Sequence, residues 1–153
     1  MTTESKLAEW VPFSVPVDTA QNWITNWIDA DPAAKPLDPT EMRAFVVRRA
    51  DFVELLAQHD TEFVRLYVGR KEQLDEDRMR PCLLLVSAAY EKDINPDAPD
   101  SDVIVDLVGP MTITDGDAAT QQTYEVFDFS RPCPPHCNED SPLFISQTKA
   151  TGA

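Results

Sequence analysis

Glycine is scarce in this chain: Gly69, Gly109, Gly116 and Gly152 are the only four among 153 residues. None of them stands in a Gly-x-Gly dinucleotide loop or a Walker-type phosphate cradle, so no nucleotide fold is signalled. Histidine is scarcer, with His59 and His136 alone, and no serine lies in a Gly-x-Ser-x-Gly elbow. A hydrolase triad therefore has no local signature. Three cysteines, an odd number, do not resemble the paired framework of a small secreted domain. Positive charge is short as well: 13 Lys and Arg against 27 Asp and Glu leave a formal charge of −14. Attraction to nucleic-acid phosphates or anionic membranes is disfavoured by that balance. No apolar run reaches the roughly 18 residues of a membrane span, and Met1 to Trp10 lacks the basic start and apolar run of a signal peptide. A soluble cytoplasmic protein is expected, with no nucleic-acid or membrane partner, no cofactor, no metal and no assigned catalytic residue.

What is present suits one domain over residues 1–153, with a loose lead-in at 1–16 carrying Trp10 and Phe13 and a Pro/Cys segment at 130–145. The acidity is uneven. Residues 91–140 hold twelve Asp and Glu against Lys92 and Arg131, whereas residues 41–80 hold nine acids against eight Lys and Arg. Such a surface is either a solvated face or a docking surface for a basic partner.

The first regular element is a helix. Asp18 is a candidate cap with Gln21 three residues on, and Ala20, Trp23, Ile24, Trp27 and Ile28 recur on one face. Pro32 should end it near Asp29. A proline-rich connector, 31–40, follows. Two readings then compete. Asp38-Pro39-Thr40-Glu41 could start one helix reaching Ala57, but the β-prone run Phe45-Val46-Val47 favours a strand followed by a helix from about Ala50.

Residues 62–69 alternate as a half-buried strand does, with Val64, Leu66 and Val68 facing one way. A charged excursion, Arg70 to Arg80, leads to Cys82-Leu83-Leu84-Leu85-Val86, an apolar run suited to an interior strand antiparallel to the first. Glu91 to Ser101 reads as loop, Val103 to Val108 as a strand ended by Gly109-Pro110, Thr114 to Gln122 as loop, and Tyr124 to Phe129 as a final edge strand. The fold class predicted is α+β: a mainly antiparallel sheet of about four to five strands with two helices packed on one face. Its expected core comprises Trp23, Ile24, Trp27, Phe45, Val47, Leu55, Leu56, Val64, Leu66, Leu83, Leu85 and Ile104.

Two groups of residues invite chemistry. Arg65 and Tyr67 share one face of their strand, and with Arg43 or Arg48 they could contact an anion, although a solvated sheet face is the favoured reading. His59, at the end of the second helix, would meet terminal carbonyls there. The other group is Cys133-Pro134-Pro135-His136-Cys137. With both prolines trans and extended, about 3.1 Å per residue places the cysteine Cα atoms about 12 Å apart. A disulfide needs them within about 7 Å, hence a cis Pro135 or a bend at His136. His136 and Cys137 are neighbours and rarely aim at one ion, so a metal site would have to recruit Cys82, His59 or Asp140. Reduced cysteines with a structural role, a disulfide or redox pair, and a metal site all remain open, the first being favoured.

The Trp23 helix, Phe45-Val46-Val47 with Phe52 to Gln58, Val64 to Gly69, Leu83 to Val86 and the terminal Asp128 to Cys137 run together resemble a family of small uncharacterised Bacteroidetes proteins. The Cys-Pro-Pro-x-Cys segment is the specific part of that likeness. It implies a bacterial single-domain protein and carries no catalytic residue across. The function expected is a non-enzymatic binding or interaction module for a protein or small molecule; the alternative is a thiol-based redox or metal-binding protein using Cys133 and Cys137.

Overall fold

The computed structural model describes residues 14–29, 42–73, 76–115, 118–128 and 131–145. The lead-in up to Phe13, the connector 31–40 with its alternative helix start at Asp38, and Phe129 lie outside the described residues. In chain order the elements are β1 (Ser14–Val15), α1 (Val17–Ile28), β2 (Ala44–Val46), α2 (Arg49–Leu56), β3 (Phe63–Gln73), β4 (Glu76–Tyr90), α3 (Glu91–Ile94), β5 (Ile104–Leu107), β6 (Gly109–Asp115), β7 (Ala118–Tyr124), β8 (Val126–Phe127) and β9 (Arg131–Cys133). The class is α+β, and the main sheet is antiparallel with five strands in the order β1-β8-β4-β3, β5 also pairing with β4. Two-stranded pairs β2-β9 and β6-β7 complete the β-structure.

The β4 strand explains the layering. Its side chains alternate between faces, and both sets are buried: Cys82, Leu84 and Val86 on one side, Leu85 on the other. The first set packs with Ala20 of α1 and Val126, flanked by Trp23, Ile24 and Tyr67. The second packs with Leu55 of α2 and Phe127, flanked by Phe52, Val64 and Leu83. The two helices therefore take opposite faces of the sheet rather than one. A strand apolar on both sides needs cover on both, and one helix supplies each.

At Gly69 the backbone of α1 comes so close that an added Cβ would stand 3.2 Å from Trp23 C and O and from Cys82 Sγ. A third cluster, Ala89, Ile94, Leu107, Ile113 and Tyr124, ties β5, α3 and the β6-β7 hairpin to the end of β4.

Strand then helix is the outcome at 44–56, and the β3-β4 hairpin pairs Leu66 with Leu85 and Val64 with Ser87 as an antiparallel ladder. Several expectations change. The α1 helix begins at Val17 after Pro16, so Asp18 lies in its first turn, where its carboxylate accepts from the Thr19 N–H at 2.8 Å. A negative group there suits the helix dipole. The charged stretch after Gly69 continues both strands, with Lys71 opposite Arg80, because the backbone ladder propagates beyond the core without needing apolar alternation. Thr114, Asp115 and Ala118 to Gln122 belong to the β6-β7 hairpin, where Ile113 and Tyr124 are buried and the polar residues between them hid the strands.

The strand ends ahead of Gly109 as expected, β5 stopping at Leu107; Gly109, at φ 68, then opens β6, a strand the sequence did not signal. The final strand is not an edge. In β8, Val126 and Phe127 are buried, with β1 on one side and β4 on the other. Ser14 and Val15, inside the expected lead-in 1–16, supply that outer strand.

Of the expected core, Leu55 and Leu85 are buried, while Trp23, Ile24, Trp27, Phe45, Val47, Val64 and Leu83 are half-buried. Leu56, Leu66 and Ile104 are exposed. The α2 helix covers the inner strands, so Leu66 on the outermost strand remains uncovered although Leu85 beside it is sealed. No helix among the described residues is long and apolar enough to cross a membrane.

Candidate functional site

The cysteine segment is built into the fold through β2 and β9. Their antiparallel pairing sets Ala44 opposite Cys133 and Val46 opposite Arg131, and the Arg43 N–H donates to the Cys133 carbonyl at 2.9 Å. The His136 N–H donates to the Pro132 carbonyl at 3.0 Å and the Cys137 N–H to the Pro135 carbonyl at 2.9 Å, which folds the segment into a tight turn. Both the Cys133–Pro134 and Pro134–Pro135 peptide bonds are cis. Cys133 and Cys137 form a disulfide, with Cα atoms 4.8 Å apart.

The expectation of separate reduced thiols is thereby corrected, since the extended trans backbone it rested on is not the one adopted. Cys133 is buried, Cys137 half-buried, and Pro134, Pro135 and His136 face outward. Each sulfur is bonded to the other, and no group of three or more His, Cys, Asp or Glu among the described residues is placed to hold a metal ion.

Arg43 holds the next stretch of chain. Its guanidinium donates to the Ile145 carbonyl at 2.5 Å and lies 4.3 Å from the centroid of the Phe144 ring. Together with the disulfide it forms a clasp at the β2-β9 pair.

The four residues read as anion contacts do not converge. Arg43 serves the clasp. Arg48 makes two 2.9 Å contacts to the Asp51 carboxylate across the first turn of α2. Arg65 Nε donates to Asp106 Oδ1 at 2.6 Å and its outer nitrogen to the Ile104 carbonyl at 2.8 Å, while the Tyr67 hydroxyl donates to Asp106 Oδ2. Arg65 and Tyr67 are thus brought together on an anion, and that anion is the chain's own Asp106. The hydrogen bond to Asp106, followed by desolvation, holds the Tyr67 phenol above its ordinary value. His59 contacts Asp60 at 2.5 Å instead of the helix-end carbonyls expected.

The sequence reading missed Asp106 and Asp128. Asp106 is the one polar residue within the apolar run 103–108, a signal that could have been used. Asp128 is buried, takes Lys71 Nζ at 2.7 Å on Oδ2 and leaves Oδ1 without a partner among the described residues. Lys71 also stands 5.6 Å from the Trp23 ring centroid and Arg70 5.1 Å from that of Trp27, so both tryptophans pack beneath cations of β3. Burial, with Asp128 adding to it, pushes the nearby Cys82 thiol up to about 12, which leaves it protonated and unreactive at neutral pH.

A last cluster lies at the entrance to β3. Desolvation and then the neighbouring Asp93 carboxylate hold the Glu62 carboxyl above its ordinary value, with Asp60 adding to the repulsion and Lys92 offsetting part of it. No family model matches the chain, and neither a curated protein nor a solved structure matches it.

Proposed function

We propose that the chain is a non-enzymatic binding module of a bacterial, cytoplasmic protein, and that it takes a protein partner carrying positive charge. The observation that carries this reading is a set of uncovered apolar side chains on the α2 face of the sheet: Val53 is 58% exposed, Leu56 51% and Leu66 49%. Val53 and Leu56 are three residues apart on one helix, so they share a face. Uncovered apolar surface on an otherwise polar protein marks contact sites. The formal charge of −14 selects for basic partners by steering, while the arginines that could have served an anionic substrate are engaged internally.

Affinity capture from bacterial lysate tests the reading. A stoichiometric partner should be retained at low salt, released at high salt, and lost from the Val53→Asp/Leu56→Asp variant. Failure to retain any partner, with no thermal shift across a metabolite library, overturns it.

The Cys133–Cys137 disulfide supports a second reading, a thiol-based redox protein. In a reducing cytoplasm such a bond is a transient state, and only its reduced form would offer thiolates to a metal. Intact mass with and without alkylation, together with a metal assay, separates the two readings: a pair that never changes state in cells and carries no metal removes the second.

A further inference from the structure

The ladder register determines which backbone groups of β3 face outward. Pro81, opposite Arg70, has no N–H to donate, and the Arg70 carbonyl accepts from Asn26 Nδ2 at 3.1 Å, so Arg70 turns its backbone groups away from β4. Beyond β4 the Glu91 N–H donates to the Val103 carbonyl at 2.8 Å, in register with the Ser87–Leu107 and Ala89–Val105 pairs. Odd-numbered residues of β4 therefore bond towards β5 and even-numbered ones towards β3. Both observations give the same parity: Arg65 and Tyr67 exchange hydrogen bonds with β4, and Val64, Leu66 and Val68 direct N–H and C=O to the outer side. Among the described residues no strand pairs with that side.

We propose that this edge, over residues 64–68, receives an extended basic segment of a partner protein by strand addition. The inference rests on the binding-module reading and assigns its site. Main-chain bonding to the three outward residues supplies affinity, and the half-exposed Leu66 side chain selects an apolar residue opposite it. Charge selects the occupant. Asp60, Glu62 and Asp93 crowd the start of the strand, where a lysine or arginine flanking the added segment would relieve their repulsion. A second copy of this chain would bring another −14 to the same edge, so charge works against self-pairing.

The probes are two peptides, Lys-Val-Lys-Val-Lys-Val-Lys and its counterpart with Glu in place of Lys, titrated into the full chain by fluorescence anisotropy and amide NMR. The lysine peptide should shift the amides of Val64, Leu66 and Val68 and bind more weakly as salt is added, and the glutamate peptide should bind about tenfold more weakly or worse. Leu66→Pro removes an outward N–H without touching the bonds to β4 and should abolish binding. Leu66→Lys, which leaves the backbone intact and sets like charge against the peptide, serves should the proline variant fail to fold.

Equal binding of both peptides, undiminished binding of the lysine peptide by the folded Leu66 variants, or no binding at all overturns the proposal. A dimer in sedimentation that Leu66→Lys dissociates also overturns it, because the occupant is then a second copy. If a cellular partner is retained by both Leu66 variants, the edge is wrong while the binding-module reading stands; if no chain captures a partner, both fall.

Discussion

Leu66 and Leu85 face each other across the β3-β4 ladder, and from sequence both belong to the core. The structure separates them. Leu85 is 0% exposed, enclosed by Leu55 and Phe127, and its replacement by alanine deletes buried methyl groups and leaves a cavity, a change that costs about 2 to 5 kcal/mol. Leu66 keeps 49% of its surface in water. Fully burying a leucine contributes about 1.5 to 3 kcal/mol, so truncating one that is half covered and opens no cavity should cost about 1 kcal/mol or less. Urea unfolding of the two alanine variants, with midpoints and slopes compared, measures the difference. In melting temperature each kcal/mol is worth about 2 to 4 °C for a chain of this size. Leu85→Ala should fall well below Leu66→Ala. Equal losses would refute the placement of α2 over the inner strands and return Leu66 to the core.

The remaining expectations concern titrating groups and the clasp. With its thiol pushed up to about 12, Cys82 should resist alkylation at pH 8 in the folded chain and react readily in denaturant; fast labelling of native protein would contradict its burial. Tyr67 has a raised pKa in the folded state, so the stability it contributes is complete below its unfolded value of about 10 and is lost as pH rises through the folded value. Urea midpoints between about pH 8 and 11 should therefore fall less steeply in Tyr67→Phe than in the parent, and identical slopes would count against the Tyr67–Asp106 bond. The disulfide closes only a short loop, four residues in separation, for which loop-closure entropy gives about 2 kcal/mol. Cys133→Ser with Cys137→Ser should therefore lower the melting temperature by only about 4 to 8 °C, and unfolding outright would show that the clasp governs the whole domain.

Where apolar periodicity coincided with burial, the sequence was readable. The α1 stripe and the Phe45 strand followed by a helix stand near their expected bounds, and the β3-β4 pairing was legible over its apolar stretch, because an apolar face had to be covered there. The β6-β7 hairpin was not readable: its register is held by backbone bonding between residues such as Thr112 and Gln121, and backbone bonding leaves no mark on side-chain type. The extension of β3 to Gln73 escaped for the same reason.

Side-of-sheet assignment failed because alternation says which residues share a face, not which face a helix will cover. At the candidate site, Arg65 and Tyr67 share a face as their alternation implies, but their partner, Asp106, lies 39 to 41 residues away and is joined to them only by the pairing of β5 with β4. The Cys133–Cys137 distance depended on two peptide-bond geometries that residue identity leaves open.

The open edge of β3 can be tested before any partner is known. Residue-resolved amide hydrogen exchange on the isolated chain reads the parity of the ladder directly, since an N–H bonded to β4 exchanges slowly and one facing outward does not. The expected result is alternation, with Val64, Leu66 and Val68 exchanging fast and Arg65 and Tyr67 protected. Uniform protection from Val64 to Val68 would mean that the edge is already covered, and would contradict the account.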